Sequence, residues 1–168
     1  MTSIPHAIDP ALIQSYREAD YLIHVGGSDI VLKVGQASLQ LSSLMMGRQV
    51  DSAAFITAFN PYSSIARAQE NALNHKALLA DLSSLGIESI GGEGRDSENL
   101  WPSETSILAL GISLQNAELL ARRYKQNAFL WISGNDGLVD LNLMFPVATQ
   151  IDINQKPSLI KLGVEGSH

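Results

Sequence analysis

The stretch Ala53-Ala54-Phe55-Ile56-Thr57-Ala58-Phe59 constrains this chain most. It is apolar at odd and even positions alike, and successive strand side chains point to opposite faces. Such a strand needs cover on both sides, so a layered fold is expected around it. Asn60-Pro61 ends it, because proline donates nothing to a ladder and biases the preceding residue away from helical backbone. Asp9-Pro10, a side-chain cap followed by proline at the first helical position, predicts a helix over 10–18. Two apolar runs, 21–25 and 30–34, flank Gly26-Gly27-Ser28-Asp29 as a hairpin. Further helices are expected over 37–46, closed by Gly47, over 65–85, ended by Gly86, and over 114–125, capped by Ser113. Strands are expected over 87–90, 106–112, 128–132 and 138–143, with 91–96 as a loop. The fold class is α/β, bordering on α+β: a mixed sheet with an N-terminal hairpin, a βαβ unit and about four helices packed on it.

With 168 residues the chain is expected to form a single domain, 1–168, with 1–8 and about 163–168 as flexible tails. Ser167-His168 matches the start of a purification tag and is left out of functional argument. Cysteine is absent, which excludes disulfides, thiolate metal sites and a cysteine nucleophile. Eleven basic against 17 acidic side chains give a formal charge of −6, which argues against nucleic acid as a partner. No apolar run approaches the ~18 residues of a membrane span, and no secretory signal opens the chain, so a bacterial-type cytoplasm is the expected location. His6, His24, His75 and His168 lack metal-ligand spacing, so no metal is expected. Gly91-Gly92-Glu93-Gly94 lacks the spacing of a dinucleotide fingerprint and there is no Gly-x-Ser-x-Gly elbow, so neither a cofactor nor a serine hydrolase is expected.

Topology points to the site. Two strands joined by the 65–85 helix should run parallel, so the loops after Phe59 and Ile90 leave the same edge. That edge receives Asn60 and Ser63 from the first loop, and Glu93 and Arg95 from the second. Trp101 and Glu104 precede the next strand, and Gln126 and Asn127 return there after the following helix. On the long helix, Asn71 and His75 fall near the centre of the stripe Leu78, Leu79, Leu82 and Leu85, so two polar groups on the buried face need partners. A polar pocket would supply them; so would the neighbouring loop backbone.

Thr57-Ala58-Phe59-Asn60-Pro61 with Ser63, then Asn71, Gly92-Glu93-Gly94, Trp101-Pro102-Ser103-Glu104 with Ser106, and Gln126-Asn127-Ala128 together resemble the bacterial domain-of-unknown-function family 3293. The resemblance covers roughly residues 16–133 and rests on the succession of five short motifs. It implies a small bacterial protein without an assigned activity. The family often carries glycine before the Gln-Asn-Ala motif, where this chain has Lys125.

Glu93 and Glu104 are the candidate catalytic residues, since two carboxylates near one pocket can hold different protonation states. Asn60, Ser63, Asn71, His75, Arg95, Trp101, Gln126 and Asn127 are the candidate ligand-binding residues. The expected function is a polar pocket at one sheet edge that binds a small anionic or nucleotide-like molecule; whether it catalyses a reaction stays open. The alternative is a non-catalytic interaction or regulatory module in which these residues are structural and the working surface lies along the strand Leu138–Leu143. Neither reading fixes the oligomeric state.

Overall fold

A computed structural model describes residues 6–149 of the protein. The expected tail at 163–168, with Ser167-His168, lies outside the described residues, as does most of the N-terminal one. The described part of that tail is packed: Ile8 is buried and bridges Val147.

The elements follow in the order α1 (Pro10–Glu18), β1 (Asp20–Val25), β2 (Ser28–Leu32), α2 (Leu39–Gly47), β3 (Ser52–Thr57), a 3-10 turn (Pro61–Ser63), α3 (Ala68–Ser84), β4 (Glu88–Arg95), β5 (Glu104–Leu110), α4 (Leu114–Arg123), β6 (Ala128–Ser133) and β7 (Val139–Leu143). Asp9, Ser38 and Ser113 cap α1, α2 and α4 by accepting hydrogen bonds from Ala11, Leu41 and Asn116 backbone N–H groups. The left-handed residue after α2 is Gln49, not Gly47.

The seven strands form one sheet in the order β2-β1-β4-β5-β3-β6-β7, and the fold is α/β. The expected mixed sheet needs one correction: every hydrogen-bonded neighbour pair is antiparallel. β3 and β4 do point the same way, but β5 lies between them and pairs antiparallel with both. The crossover through α3 therefore skips one strand position, which the next strand fills. The expected loop at 91–96 is a strand as far as Arg95.

The sheet curls until the segment after β2 meets the start of β7. Gly35 N–H donates to Val139 C=O (2.8 Å), Val139 N–H donates to Gln36 C=O (3.1 Å), and Ser38 N–H donates to Gly137 C=O (3.0 Å). The 137–139 end of the β7 edge is thus occupied by residues 35–38.

Alternation along β3 divides the core as its sequence requires. Ala53 and Phe55 face inward with Ile23, Leu108, Leu130 and Val139, while Ala54 and Ile56 face outward against α3 and α4. α2 buries Leu41 and Met45 against the inner cluster, near the start of β3. The opposite end of the curl, where β3 finishes, is left to polar residues and α1. On α3 the buried line is Asn71, Leu78 and Leu82; Leu79 and Leu85 are exposed, because the helix packs along a narrower seam than the full stripe.

Candidate functional site

Asn60 is the hub of that end. Its backbone is left-handed (φ 51°, ψ 68°), a conformation that asparagine tolerates better than most residues. Its N–H donates to Asn71 Oδ1 (2.9 Å), and its Oδ1 accepts from Ala66 N–H (3.0 Å) and Asn71 Nδ2 (2.9 Å). Its Nδ2 donates to Glu104 Oε2 (2.9 Å). Asn71 therefore ties the loop from behind. Tyr62 and Ser63 are also left-handed, and three such residues within four mark a loop held by its surroundings.

Those surroundings come from the α4–β6 connection. Lys125 occupies the left-handed position after α4 (φ 55°), with Gln126 N–H on Ala121 C=O and Lys125 N–H on Arg122 C=O. This is the conformation glycine adopts most readily. Lys125 C=O accepts from Tyr62 N–H (2.6 Å), and Gln126 Nε2 donates to Phe59 C=O (3.0 Å). Asn127 Nδ2 donates to Ser63 Oγ (3.1 Å), and its Oδ1 meets His6 Nε2 at 2.7 Å. Ser63 Oγ in turn meets the Tyr16 hydroxyl at 2.6 Å.

These bonds frame a cavity of about 180 Å³. Its walls include Tyr16 from α1, Tyr21 from β1, Phe55 and Thr57 from β3, Glu104 and Ser106 from β5, and Asn60, Ser63 and Gln126, with Arg95, Asp96 and Trp101 also lining it. The Tyr21 and Phe55 rings meet edge to face, 5.6 Å between centroids. Burial raises the Glu104 carboxyl above the ordinary carboxylate range, partly offset by the hydrogen bond from Asn60. Burial also raises both Tyr16 and Tyr21, so these phenols are neutral at physiological pH.

Among the expected residues, Asn60, Ser63, Arg95, Trp101, Glu104 and Gln126 line the cavity, while Asn71 and Asn127 stand behind it as supports. Glu93 does not join them. The register pairs Gly94 with Glu104 and Glu93 with Thr105, so the two glutamates point to opposite faces of the sheet. There Glu93 accepts from Arg95 Nη2 (2.8 Å) and lies 3.6 Å from His24. That bond to Arg95, the largest influence on it, holds the Glu93 carboxyl below its ordinary value. A two-carboxylate acid–base pair is therefore not assembled. His75 packs its ring edge-on to Phe59 (6.2 Å), away from the cavity wall, and its Nδ1 has no hydrogen-bond partner among the described residues. Burial lowers its pKa. Among the described residues no group of three or more His, Asp or Glu side chains could hold a metal ion, and no helix is long and apolar enough to cross a membrane.

Sequence reasoning missed Tyr16, Tyr21 and Thr57. The signal for Tyr16 was present: Leu12 and Tyr16 stand at i and i+4 on α1, and both line the cavity.

Glu104 has a measurable cost to the fold. In the unfolded chain it ionises at its ordinary value, whereas in the fold it keeps its proton to higher pH. The Glu104 contribution to stability is therefore fully present below the ordinary value and is lost as pH rises through the raised folded one. Glu104→Gln, whose amide oxygen can still accept from Asn60, is expected to melt above wild type at neutral pH. The gain is on the order of 1 kcal/mol, or about 2–4 °C. The difference should close as pH drops below the ordinary carboxylate range, as a pair of thermal melts across pH would show. A variant that melts lower at neutral pH would contradict the burial argument.

No curated protein and no solved structure matches the chain. A model of the family described as "Protein of unknown function (DUF3293)" matches residues 56–129, from the end of β3 to the start of β6, so the chain resembles that family across the segment that supplies Asn60, Asn71, Glu104 and Gln126.

Proposed function

We propose that the protein binds a small organic molecule in the cavity where β3 finishes. One observation carries this reading: polar side chains from four separated segments converge on a concave, largely aromatic and aliphatic wall, the usual make-up of a ligand site. The strained Asn60–Ser63 loop and the costly ionisation of Glu104 add support, because proteins keep strain and buried carboxylates where function uses them. Of the two ligand descriptions expected from sequence, a flat ring suits Tyr21, Phe55 and Trp101. A free anion would meet the Glu104 carboxyl, and the one guanidinium lining the cavity among the described residues, Arg95, is engaged by Glu93.

A thermal-shift screen of nucleosides, sugar phosphates, organic acids and amines tests the reading. A ligand at 100 times its dissociation constant adds about 2.7 kcal/mol, a shift of several degrees. Trp101 is 57% exposed, so Trp101→Ala should fold normally and lose the shift. The reading fails if no class shifts the melt, or if the shift survives unchanged in Trp101→Ala.

A further inference from the structure

We propose that the ligand of this cavity is a small planar organic cation, of the amidinium or protonated-heterocycle class, held by its N–H edge on Glu104. The inference rests on the pocket reading above and names its ligand class. Glu104 is the carboxylate at the polar wall, and Asn60 Nδ2 fixes its Oε2 at 2.9 Å. Its other oxygen, Oε1, makes no hydrogen bond and Glu104 forms no ion pair among the described residues.

A carboxylate in a partly enclosed wall is stabilised by a charge-assisted donor, and among the described residues none bonds Glu104. Arg95 lines the cavity, but its guanidinium is bonded to Glu93 (2.8 Å) rather than to Glu104. The remaining titratable groups around the cavity, Tyr16, Tyr21 and Asp96, supply no positive charge. Tyr21, Phe55 and Trp101 line the same cavity as that carboxylate, which suits a flat cation through stacking and cation–π attraction. The formal charge of −6 favours the same sign of ligand at long range. Because Glu104 holds its proton more tightly than an ordinary glutamate, a cation must displace that proton, so its affinity should rise with pH until Glu104 is ionised.

Benzamidinium, benzamide and benzoate share one ring and differ in the charge of the substituent, so they serve as probes. Backbone amide shifts of Thr57, Ser106 and Gly94 would report occupancy of the cavity in wild type and in Glu104→Gln. The expected result is that benzamidinium binds wild type at least about tenfold more tightly than either other probe, the worth of one charge-assisted contact. Glu104→Gln should erase that preference, and wild-type affinity for benzamidinium should increase with pH. Tighter binding of benzoate, or a preference that persists in Glu104→Gln while the same amides respond, overturns the cation and leaves the pocket standing. No response of those amides to any of the three probes overturns both.

Discussion

Asn60→Ala is expected to destabilise the protein by about 3 kcal/mol and to lower its melting temperature by roughly 10 °C. Alanine keeps the backbone N–H bond to Asn71 but loses three side-chain bonds: those from Ala66 N–H and Asn71 Nδ2, and the one to Glu104. Asn71 is 6% exposed, so its stranded amide can recover little from water. An unpaired buried polar group of this kind costs ~1–3 kcal/mol. The left-handed backbone at position 60 adds about 1 kcal/mol, since alanine tolerates it less well than asparagine. Asn71→Ala should act in the same direction through the same bonds, so the double variant should lose less than the two single losses added together. Chemical denaturation of the four proteins measures this cycle. A loss below about 1 kcal/mol for Asn60→Ala, or strict additivity with Asn71→Ala, would show that the network does not hold the loop.

The same residues show how far the sequence carries. β3 was legible because apolar residues at odd and even positions alike report burial on both faces, and Ala53, Phe55, Ala54 and Ile56 divide between the two clusters accordingly. Asn71 was legible because helical periodicity fixes a direction from the axis, whatever the chain does elsewhere. The direction shared by β3 and β4 followed from the connecting helix, and it brought Asn60, Glu104 and Gln126 to one end of the sheet. Glu93 was placed on the right strand end and the wrong face. A glycine-rich stretch reads as a loop, and a loop gives no parity, so the sequence offered no means of deciding which way Glu93 points. Tyr16 and Tyr21 were missed for a different reason. The α1 stripe shows which side of that helix is covered, but that Tyr16 and Tyr21 line this cavity depends on strand order, which no local pattern encodes.

Gly92→Ala is expected to cost at least about 3 kcal/mol, and at the upper end to prevent folding. Gly92 sits opposite Ile23 in the β1–β4 ladder. A methyl group there would overlap the backbone carbonyl oxygen of Leu22 and stand 3.0 Å from Phe55 Cε2. Neither neighbour can yield cheaply: the carbonyl belongs to the ladder, and the Phe55 ring is buried against Tyr21. The adjacent glycines give internal controls. Gly91 has nothing within 4 Å of an added methyl, so Gly91→Ala should be neutral or gain up to about 1 kcal/mol from reduced freedom of the unfolded chain. Gly94 would place its methyl 3.6 Å from Tyr21 Cδ1, an ordinary contact, so Gly94→Ala should fold with near wild-type stability while narrowing the cavity beside Glu104. The three variants thus separate packing between strands from packing into the cavity. Urea denaturation reads the first, and ligand titration of Gly94→Ala reads the second. A Gly92→Ala protein with a wild-type midpoint would mean that β1 and β4 do not meet in this register. Tyr21 and Gly94, paired in the same ladder, would then lose their place in the cavity wall.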